Sequence, residues 1–415
     1  MPVRLPAEVS DTVHHWKVEG SIMPGKAITI DQWQRRWMKD NNNFAIDAKI
    51  GYRYLPHDSC TIAKDYHYPT LSFGVRWQMN HGITMHKKAD TAWPYIEEAD
   101  FDSEMGNIIT GYGQFERPLF TSAKWDVGYD LSVGVGYSKR KYNKTYNIDN
   151  EIIGSRWNIF FGAGIYARYL TGKDWGLKGG IQFYHHSNGA MNRPNKGANI
   201  VSPYMGLFYL FDRTRSDNDA SKHDCSVSTE KWVTSPLYLQ CSGSIGFRTL
   251  LEEWTQTQYH TKPNEPDYRT TEFKEYIGYS LQMNLMYRYA RRWASGIGFD
   301  LFYGDYYKRV EEVNKINGYN DKLSPWSFGI SLSHEVFYHR LSLAMSLGYY
   351  IYRNMGEMAR LQEKPYYEKI GVFYRIPKLG IKVGGQVKAH LTKADLTEIT
   401  ISLPLYIHSS FLSWK

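Results

Sequence analysis

The chain has 415 residues, of which 42% are hydrophobic and 16% aromatic, and it contains 34 tyrosines. A membrane-spanning helix needs about 20 consecutive apolar residues, and no stretch of this sequence approaches that length, so a helical membrane protein is excluded. The formal net charge of +8 favours an anionic partner, either nucleic acid, an acidic glycan or a phosphorylated lipid surface. Because the basic residues are scattered rather than grouped, nucleic acid is not expected.

The first residues, MPVRLPAEVSDTV, contain no apolar segment of the kind that a secretory signal requires. Either the chain is mature with a restored Met1, or the protein is not exported. The patterns below favour the first alternative, in which a signal peptide has been removed. Cys60, Cys225 and Cys241 have no metal-ligand spacing, and they leave a Cys225–Cys241 bridge and free thiols equally open.

The clearest periodicity lies in residues 125–138, WDVGYDLSVGVGYS, where apolar residues alternate with small or polar ones. This period of two predicts a strand with one apolar face. Its length is also informative, because a tilted strand crosses a bilayer in about 9–11 residues whereas ordinary globular strands have about 5–6.

Similar long segments recur along the chain and predict about 16 strands. In chain order they are 14–28, 43–56, 69–82, 109–120, 125–138, 155–170, 175–188, 199–211, 233–250, 275–292, 293–308, 325–339, 340–353, 366–377, 379–391 and 396–406. No convincing helical segment interrupts them, so the predicted class is all-β. The polar insertions 83–108, 139–154, 254–272 and 309–324 are predicted surface loops.

Long strands joined by alternately short and long connections are typical of transmembrane antiparallel β-barrels, and the excess of Tyr and Trp fits their aromatic girdles. The most polar segment, 212–232, is predicted to connect a first half, 1–211, with a second half, 233–415. We favour one barrel of about 14–16 strands, completed by the second half. The alternative is an eight-stranded barrel followed by a second β-unit.

Segment 175–188 ends in HHSN after a regular alternation. Its apolar face holds Trp175, Leu177, Gly179, Ile181 and Phe183. Continuing the period places His185 and Ser187 on this same face, whereas His186 and Asn188 point the other way. A hydroxyl and an imidazole on one face can act as a nucleophile and its general base. On the lipid side of a barrel, such a pair suits a substrate that lies in the bilayer.

The residues from His185 to Asn199 follow the pattern H-x-S-N-G and then N-x-P-N-x-G-x-N. This pattern resembles the signature of the PagL-type lipid A deacylases, also called acyloxyacyl hydrolases, of Gram-negative outer membranes. The segments IIGSRWN (152–158) and GLFYLF (206–211) resemble the longer members found in Bacteroidota. The resemblance implies a cofactor-independent outer-membrane barrel that hydrolyses the ester-linked 3-O acyl chain of lipid A.

Carried over onto this sequence, the resemblance implies that Ser187 is the nucleophile and His185 its base. Asn188 and the backbone N–H of Gly189 would stabilise the oxyanion, a contribution of a few kcal/mol in comparable enzymes. A bend at Gly189 is needed if the side chain of Asn188, which points inward in a regular strand, does this work. The implied partner is lipid A, or lipopolysaccharide, in the outer leaflet.

The family's third residue is an acid, usually glutamate, twelve positions after the serine, where this sequence has Asn199. No Asp or Glu occurs between His185 and Asp212. Across a hairpin, the amide oxygen of Asn199 could still accept the imidazole N–H, but it cannot stabilise an imidazolium by charge. We therefore expect either a slower enzyme or an acid from another strand.

Two other classes of protein are compatible with the same patterns. One is a non-catalytic outer-membrane barrel, either a porin-like channel or a lipopolysaccharide-binding protein. The other is a soluble β-rich binding protein. Release of acyl chains from lipid A separates the enzyme from the non-catalytic barrel, and solubility without detergent identifies the soluble protein.

Overall fold

Antiparallel strands form most of the regular structure of the computed structural model, which describes residues 14–56, 58, 60–211, 235–362, 365–391 and 393–407. The predicted connection 212–232 therefore lies outside the described residues. None of the helices in the described part is long and apolar enough to cross a membrane. The predicted all-β class is confirmed.

Ten strands form the first sheet, and eight of them close into a barrel. They are β1 (Trp16–Ile28), β2 (Met38–Arg53), β3 (Thr70–Met79), β4 (Ile83–Met85), β5 (Ser103–Glu104), β6 (Ile108–Thr121), β7 (Trp125–Ser138), β8 (Trp157–Leu170), β9 (Trp175–Ser187) and β10 (Ala198–Phe211). Closure arises because β1 pairs with β2 on one side and with β10 on the other. The short β4 and β5 extend β2 beyond the barrel rim.

The second half closes into an eight-stranded barrel of its own. Its strands are β11 (Leu237–Arg248), β12 (Tyr276–Tyr287), β13 (Trp293–Gly304), β14 (Trp326–Tyr338), β15 (Leu341–Arg353), β16 (Tyr366–Arg375), β17 (Lys382–His390) and β18 (Lys393–Tyr406). Pairing of β11 with β18 closes this barrel. All neighbouring strands are antiparallel.

The 16 strands of the two barrels match the predicted segments closely, but the favoured arrangement, a single barrel, differs from the observed pairing. The alternative, an eight-stranded barrel followed by a second β-unit, is the arrangement found. The reason is physical. Alternation along a strand reports which side chains share a face, whereas closure depends on which distant strand supplies the free edge with a partner.

In the described part of the chain, five short helices and one π-helical turn lie between the strands. The sequence patterns did not predict these helices. They are α1 (Gln32–Trp37), α2 (Thr61–Asp65), α3 (Leu251–Thr255), the π-helical turn (Gln256–His260), α4 (Tyr307–Ile316) and α5 (Glu357–Gln362). The longest, α4, has 10 residues and begins the segment expected to be a loop at 309–324. Cys241, in β11, is a free thiol, whereas Cys225 lies outside the described residues.

The barrel interiors are filled by paired charges rather than open. In the first barrel, Lys17 lies 2.8 Å from both Glu19 and Glu116, and Lys178 also contacts Glu116. In the second barrel, Lys382 lies 2.6 Å from Glu335. Similar pairs join Lys369 to Asp300 and Lys388 to Asp395. Buried charges of this kind need partners, and the partners occupy the lumen.

The outer faces of both barrels are apolar, as the alternation predicts. Exposed Ile, Leu, Val, Phe and Met side chains cover the strand centres. Aromatic residues lie towards the strand ends, as in the ring pairs Trp125–Tyr169, Trp175–Tyr209, Tyr137–Trp157 and Tyr303–Trp326. Such an apolar band between aromatic girdles is the surface that a bilayer requires.

The two ends of the barrels differ in their connections. The end that carries the 188–197 turn also has the connections 80–107, 139–156, 249–275 and 305–325. At the opposite end, 122–124, 171–174 and 339–340 are tight turns, whereas 54–69 is longer. Outer-membrane barrels keep short turns on the periplasmic side. The end with the 188–197 turn is therefore the extracellular end.

Candidate active site

The hairpin of β9 and β10 brings His185 and Asn199 directly opposite each other. Nδ1 of His185 lies 2.7 Å from Oδ1 of Asn199. An amide oxygen can only accept, so the imidazole N–H donates from Nδ1 and the lone pair of a neutral ring lies on Nε2. This is the hydrogen bond across the hairpin that the sequence analysis describes for His185 and Asn199.

Ser187 and His185 share the outward face of β9. Both are half-buried, and Ile181 on the same face is 52% exposed, whereas the intervening Gln182 and His186 are buried. The predicted faces are therefore observed. Within the described chain, no hydrogen bond joins the Ser187 hydroxyl to His185. Catalytic hydrogen bonds are often longer without substrate and shorten only when it is bound.

His186, the neighbour of His185, belongs to the barrel interior. Its side chain is fully buried, and its Nε2 lies 2.9 Å from Oγ1 of Thr110. The ring also packs against Phe160, with 5.0 Å between the ring centroids. The two adjacent histidines thus have separate environments, one at the lipid-facing surface and one in the core.

The chain bends sharply after Ser187. Gly189 and Ala190 have φ values of 62° and 71°, in the left-handed region, which accounts for a glycine at the first of these positions. Asn188 is buried, and its backbone N–H donates to Oδ1 of Asn195. Its side-chain Nδ2 has no hydrogen-bond partner among the residues that the structure describes. A buried, unpaired amide donor thus lies next to Ser187, and the bend expected at Gly189 is present.

The turn between β9 and β10 is held by the segment that precedes β8. The N–H groups of Lys196 and Gly197 donate to the carbonyls of Glu151 and Ile152. Gly197, with a φ of 74°, lies against the imidazole, since a Cβ there would be 2.5 Å from Cε1 of His185. The IIGSRWN segment therefore begins with residues that support the turn around His185.

Glu151 is the acidic centre of this support. Its buried carboxylate contacts Lys87, lies 2.8 Å from Lys196 and accepts a hydrogen bond from the hydroxyl of Tyr259. Burial opposes ionisation, but the positive charges of Lys196 and Lys87 outweigh it and hold the pKa of Glu151 well below its usual range. The carboxylate of Glu151 is therefore ionised and bound to these three side chains.

The acid that another strand was expected to contribute is not observed near His185. Among the residues that the structure describes, His185 forms no hydrogen bond or ion pair with a carboxylate. Its partner is Asn199, which is buried and opposite it in the hairpin. Asn199 thus stands at the position where the resemblance implies an acid, but its amide carries no charge.

The second barrel also reaches the site, through residues that the sequence patterns did not indicate. The hydroxyl of Thr397 donates to the carbonyl of Gly189 at 2.6 Å. The N–H and hydroxyl of Thr249 both donate to the carbonyl of Ala190. These threonines lie 59 and 208 positions away along the chain from the carbonyls that they bind. No local periodicity indicates a contact over such separations.

Two family models match the chain, one on each barrel. The model described as lipid A 3-O-deacylase (PagL) matches residues 66–208. The model described as the C-terminal domain of acyloxyacyl hydrolase matches residues 238–406. Together with the fold, these matches show that the protein is an outer-membrane β-barrel and that it belongs to a class of ester hydrolases. The chain belongs to the PagL family.

Solved structures give further comparisons. The crystal structure of the outer membrane enzyme PagL is 12% identical, with a TM-score of 0.28, over 46% of this chain and 97% of that one. CdiB from Acinetobacter baumannii is 8% identical, with a TM-score of 0.18, over 94% and 60%. A mutant of the Rh. blastica porin is 8% identical, with a TM-score of 0.17, over 95% and 100%. No curated protein sequence matches the chain.

Proposed function

We propose that the protein hydrolyses the ester-linked 3-O acyl chain of lipid A, with Ser187 as nucleophile and His185 as general base, without a cofactor. The observation that carries the proposal is the contact between His185, on the outward face of β9, and Asn199, opposite it on β10. It leaves Nε2 to accept a proton on the side of the barrel where a lipid ester can approach. Family membership supports lipid A as the substrate.

In the first step, Oγ of Ser187 attacks the ester carbonyl carbon while Nε2 of His185 takes the hydroxyl proton. The carbonyl oxygen becomes an oxyanion, for which Nδ2 of Asn188 and the N–H of Gly189 are the donors. Preorganised donors of this kind contribute a few kcal/mol to the barrier. The bond to the sugar oxygen then breaks, and His185 returns the proton to that oxygen, leaving an acyl-serine.

Water completes the reaction. His185 takes a proton from a water molecule, whose oxygen attacks the acyl carbon, and the ester bond to Ser187 breaks as its Oγ regains a proton. The released product is a 3-hydroxy fatty acid, and the lipid A keeps a free 3-hydroxyl. The amide oxygen of Asn199 accepts the Nδ1–H of His185 in both the neutral and the protonated ring, but it supplies no charge to stabilise the imidazolium.

The test is reconstitution of the purified chain with lipopolysaccharide and mass spectrometry of the lipid A before and after incubation. We expect the loss of one 3-hydroxyacyl chain with the wild-type chain, with or without EDTA, and no loss with Ser187→Ala. Unchanged lipid A with a folded wild-type protein would favour the non-catalytic, lipopolysaccharide-binding alternative, for which the missing carboxylate at Asn199 is the motivating observation.

A further inference from the structure

The turn that follows Ser187 has a backbone conformation that its own residues do not favour. Gly189 and Ala190 are consecutive left-handed residues, and both are buried. The left-handed region is strained for alanine because its Cβ approaches the following carbonyl. Such strain persists only where the surrounding structure fixes the conformation.

Three successive carbonyl groups of this turn are hydrogen-bonded. The carbonyl of Asn188 accepts from the N–H of Met191, within the turn itself. The carbonyl of Gly189 accepts from the hydroxyl of Thr397, and that of Ala190 accepts from Thr249. Two of the three carbonyls are therefore held by the second barrel.

The contact is close and it is made from both sides. A Cβ on Gly189 would collide with the hydroxyl of Thr397. In the opposite direction, the guanidinium of Arg193, in the turn, donates to the carbonyl of Thr249 at 3.0 Å. Thr397 belongs to the outward face of β18, which it shares with the exposed Ile399 and Ile401. Its hydroxyl is a polar group on an apolar surface, directed at the first barrel.

Fixing a carbonyl also fixes the N–H on the same peptide plane, since the two groups point in opposite directions across a rigid unit. The bonds to the carbonyls of Gly189 and Ala190 therefore set the peptide planes that carry the N–H groups of Ala190 and Met191. The N–H of Gly189, an oxyanion donor in the proposed mechanism, shares its plane with the carbonyl of Asn188, which accepts from the N–H of Met191. Thr249 thus holds this donor through the plane between Ala190 and Met191, and Thr397 holds the plane between Gly189 and Ala190, which is the next one after that of the donor.

We infer that the second barrel is a positioning element for hydrolysis in the first, with Thr397 and Thr249 as its positioning residues. This inference rests on the proposed function. Neither threonine touches the reacting atoms. Each acts through the peptide groups of Gly189 and Ala190, so that the oxyanion donors already face the substrate when Ser187 attacks.

The experiment compares Thr397→Val, which removes the hydroxyl at nearly constant volume, with Thr397→Ser, which keeps it. A matched control is Thr400→Val, because Thr400 lies on the same strand and its hydroxyl lies 2.9 Å from that of Ser244, within the second barrel. Each variant is reconstituted with lipopolysaccharide after its folding is verified by its mobility on an unheated gel. A fluorophosphonate gives a second readout, since its phosphorus bonds to Oγ of Ser187 as fluoride leaves.

For Thr397→Val we expect kcat and the fluorophosphonate labelling rate to fall by roughly tenfold with KM unchanged, as misplacement of catalytic groups predicts. Thr397→Ser should restore both rates, and Thr400→Val should match the wild type. A Thr397→Val protein that turns over at the wild-type rate would overturn the inference, as would equal losses in Thr397→Val and Thr400→Val. A wild-type protein that neither releases fatty acid nor is labelled at Ser187 would instead refute the proposed function.

Discussion

The imidazole of His185 and the carboxamide of Asn199 form a 2.7 Å hydrogen bond across the β9–β10 hairpin, at the position where the family usually has a glutamate. The pair thus has the geometry expected of the second and third members of the proposed triad, while the charge of the third is missing. An uncharged acceptor orients the imidazole but does not stabilise its protonated form. This pair leads to the first prediction.

Asn199→Glu should preserve or increase the rate of acyl release, because a carboxylate would both orient His185 and stabilise its imidazolium. Asn199→Leu, which removes the acceptor, should lower kcat by roughly 100-fold, the low end of general-base effects, because His185 itself remains. The measurement is the initial rate of fatty acid release by each folded variant. Loss of activity in Asn199→Glu alone would mean that the amide has a specific role of its own.

Ser187→Ala should abolish ester cleavage because it removes the nucleophile, and His185→Ala should do nearly the same, because an unassisted serine hydroxyl is a weak nucleophile. His186→Ala should be far milder, since its ring lies in the core against Thr110 and Phe160. The readout is release of 3-hydroxy fatty acid. An inactive His186 variant beside an active His185 variant would reverse the assignment of faces, and an active Ser187 variant would refute the serine mechanism.

Glu116→Gln should destabilise the first barrel by about 3–5 kcal/mol, the usual effect of removing one partner from a buried ion pair. The carboxylate is fully buried and contacts both Lys17 and Lys178. The free energy of unfolding, measured by urea titration in lipid vesicles, tests this value. Glu265→Gln, on an exposed loop, is the control and should leave it unchanged.

The loop after β4 should respond to pH through His86. Its imidazole lies 3.1 Å from Glu98 and 3.2 Å from Asp102, and the hydrogen bond that the ring donates to Glu98 raises the pKa of His86 above its usual value. A raised histidine pKa stabilises the folded loop fully below the unfolded value, about 6.5. This stabilisation is lost as the pH rises through the higher folded value.

An NMR titration of the His86 ring should therefore give a midpoint above about 6.5 in the wild type. In Glu98→Gln the midpoint should move down, because the neutral amide no longer favours the imidazolium. Equal midpoints in the two proteins would show that the contact with Glu98 has no electrostatic effect in solution.

The strands and their faces were predictable because alternation is a local property. WDVGYDLSVGVGYS became β7, and the continuation of the period through His185 and Ser187 matches their outward positions. The contact of His185 with Asn199 also followed from hairpin pairing of neighbouring strands. For these features the sequence pattern contains the geometric information that is needed.

Two other features depend on contacts between distant parts of the chain. Closure into two barrels depends on the pairing of β1 with β10 and of β11 with β18. The bond from Thr397 to Gly189 joins residues of different barrels. Neither the barrel closure nor this bond produces a periodic pattern in the sequence. In the pattern of β18, Thr397 is only one polar position among apolar ones.

The outward position of Ser187 and His185 decides which concentration governs the rate of the proposed reaction. A substrate that reaches the site sideways, through the leaflet, is sampled by two-dimensional diffusion, so its mole fraction among the surrounding lipids is the relevant variable. Adding plain phospholipid to the same vesicles should slow hydrolysis, whereas diluting the vesicles in buffer should not. The amount of neighbouring lipid thus becomes a regulator of the enzyme, without any dedicated regulatory site.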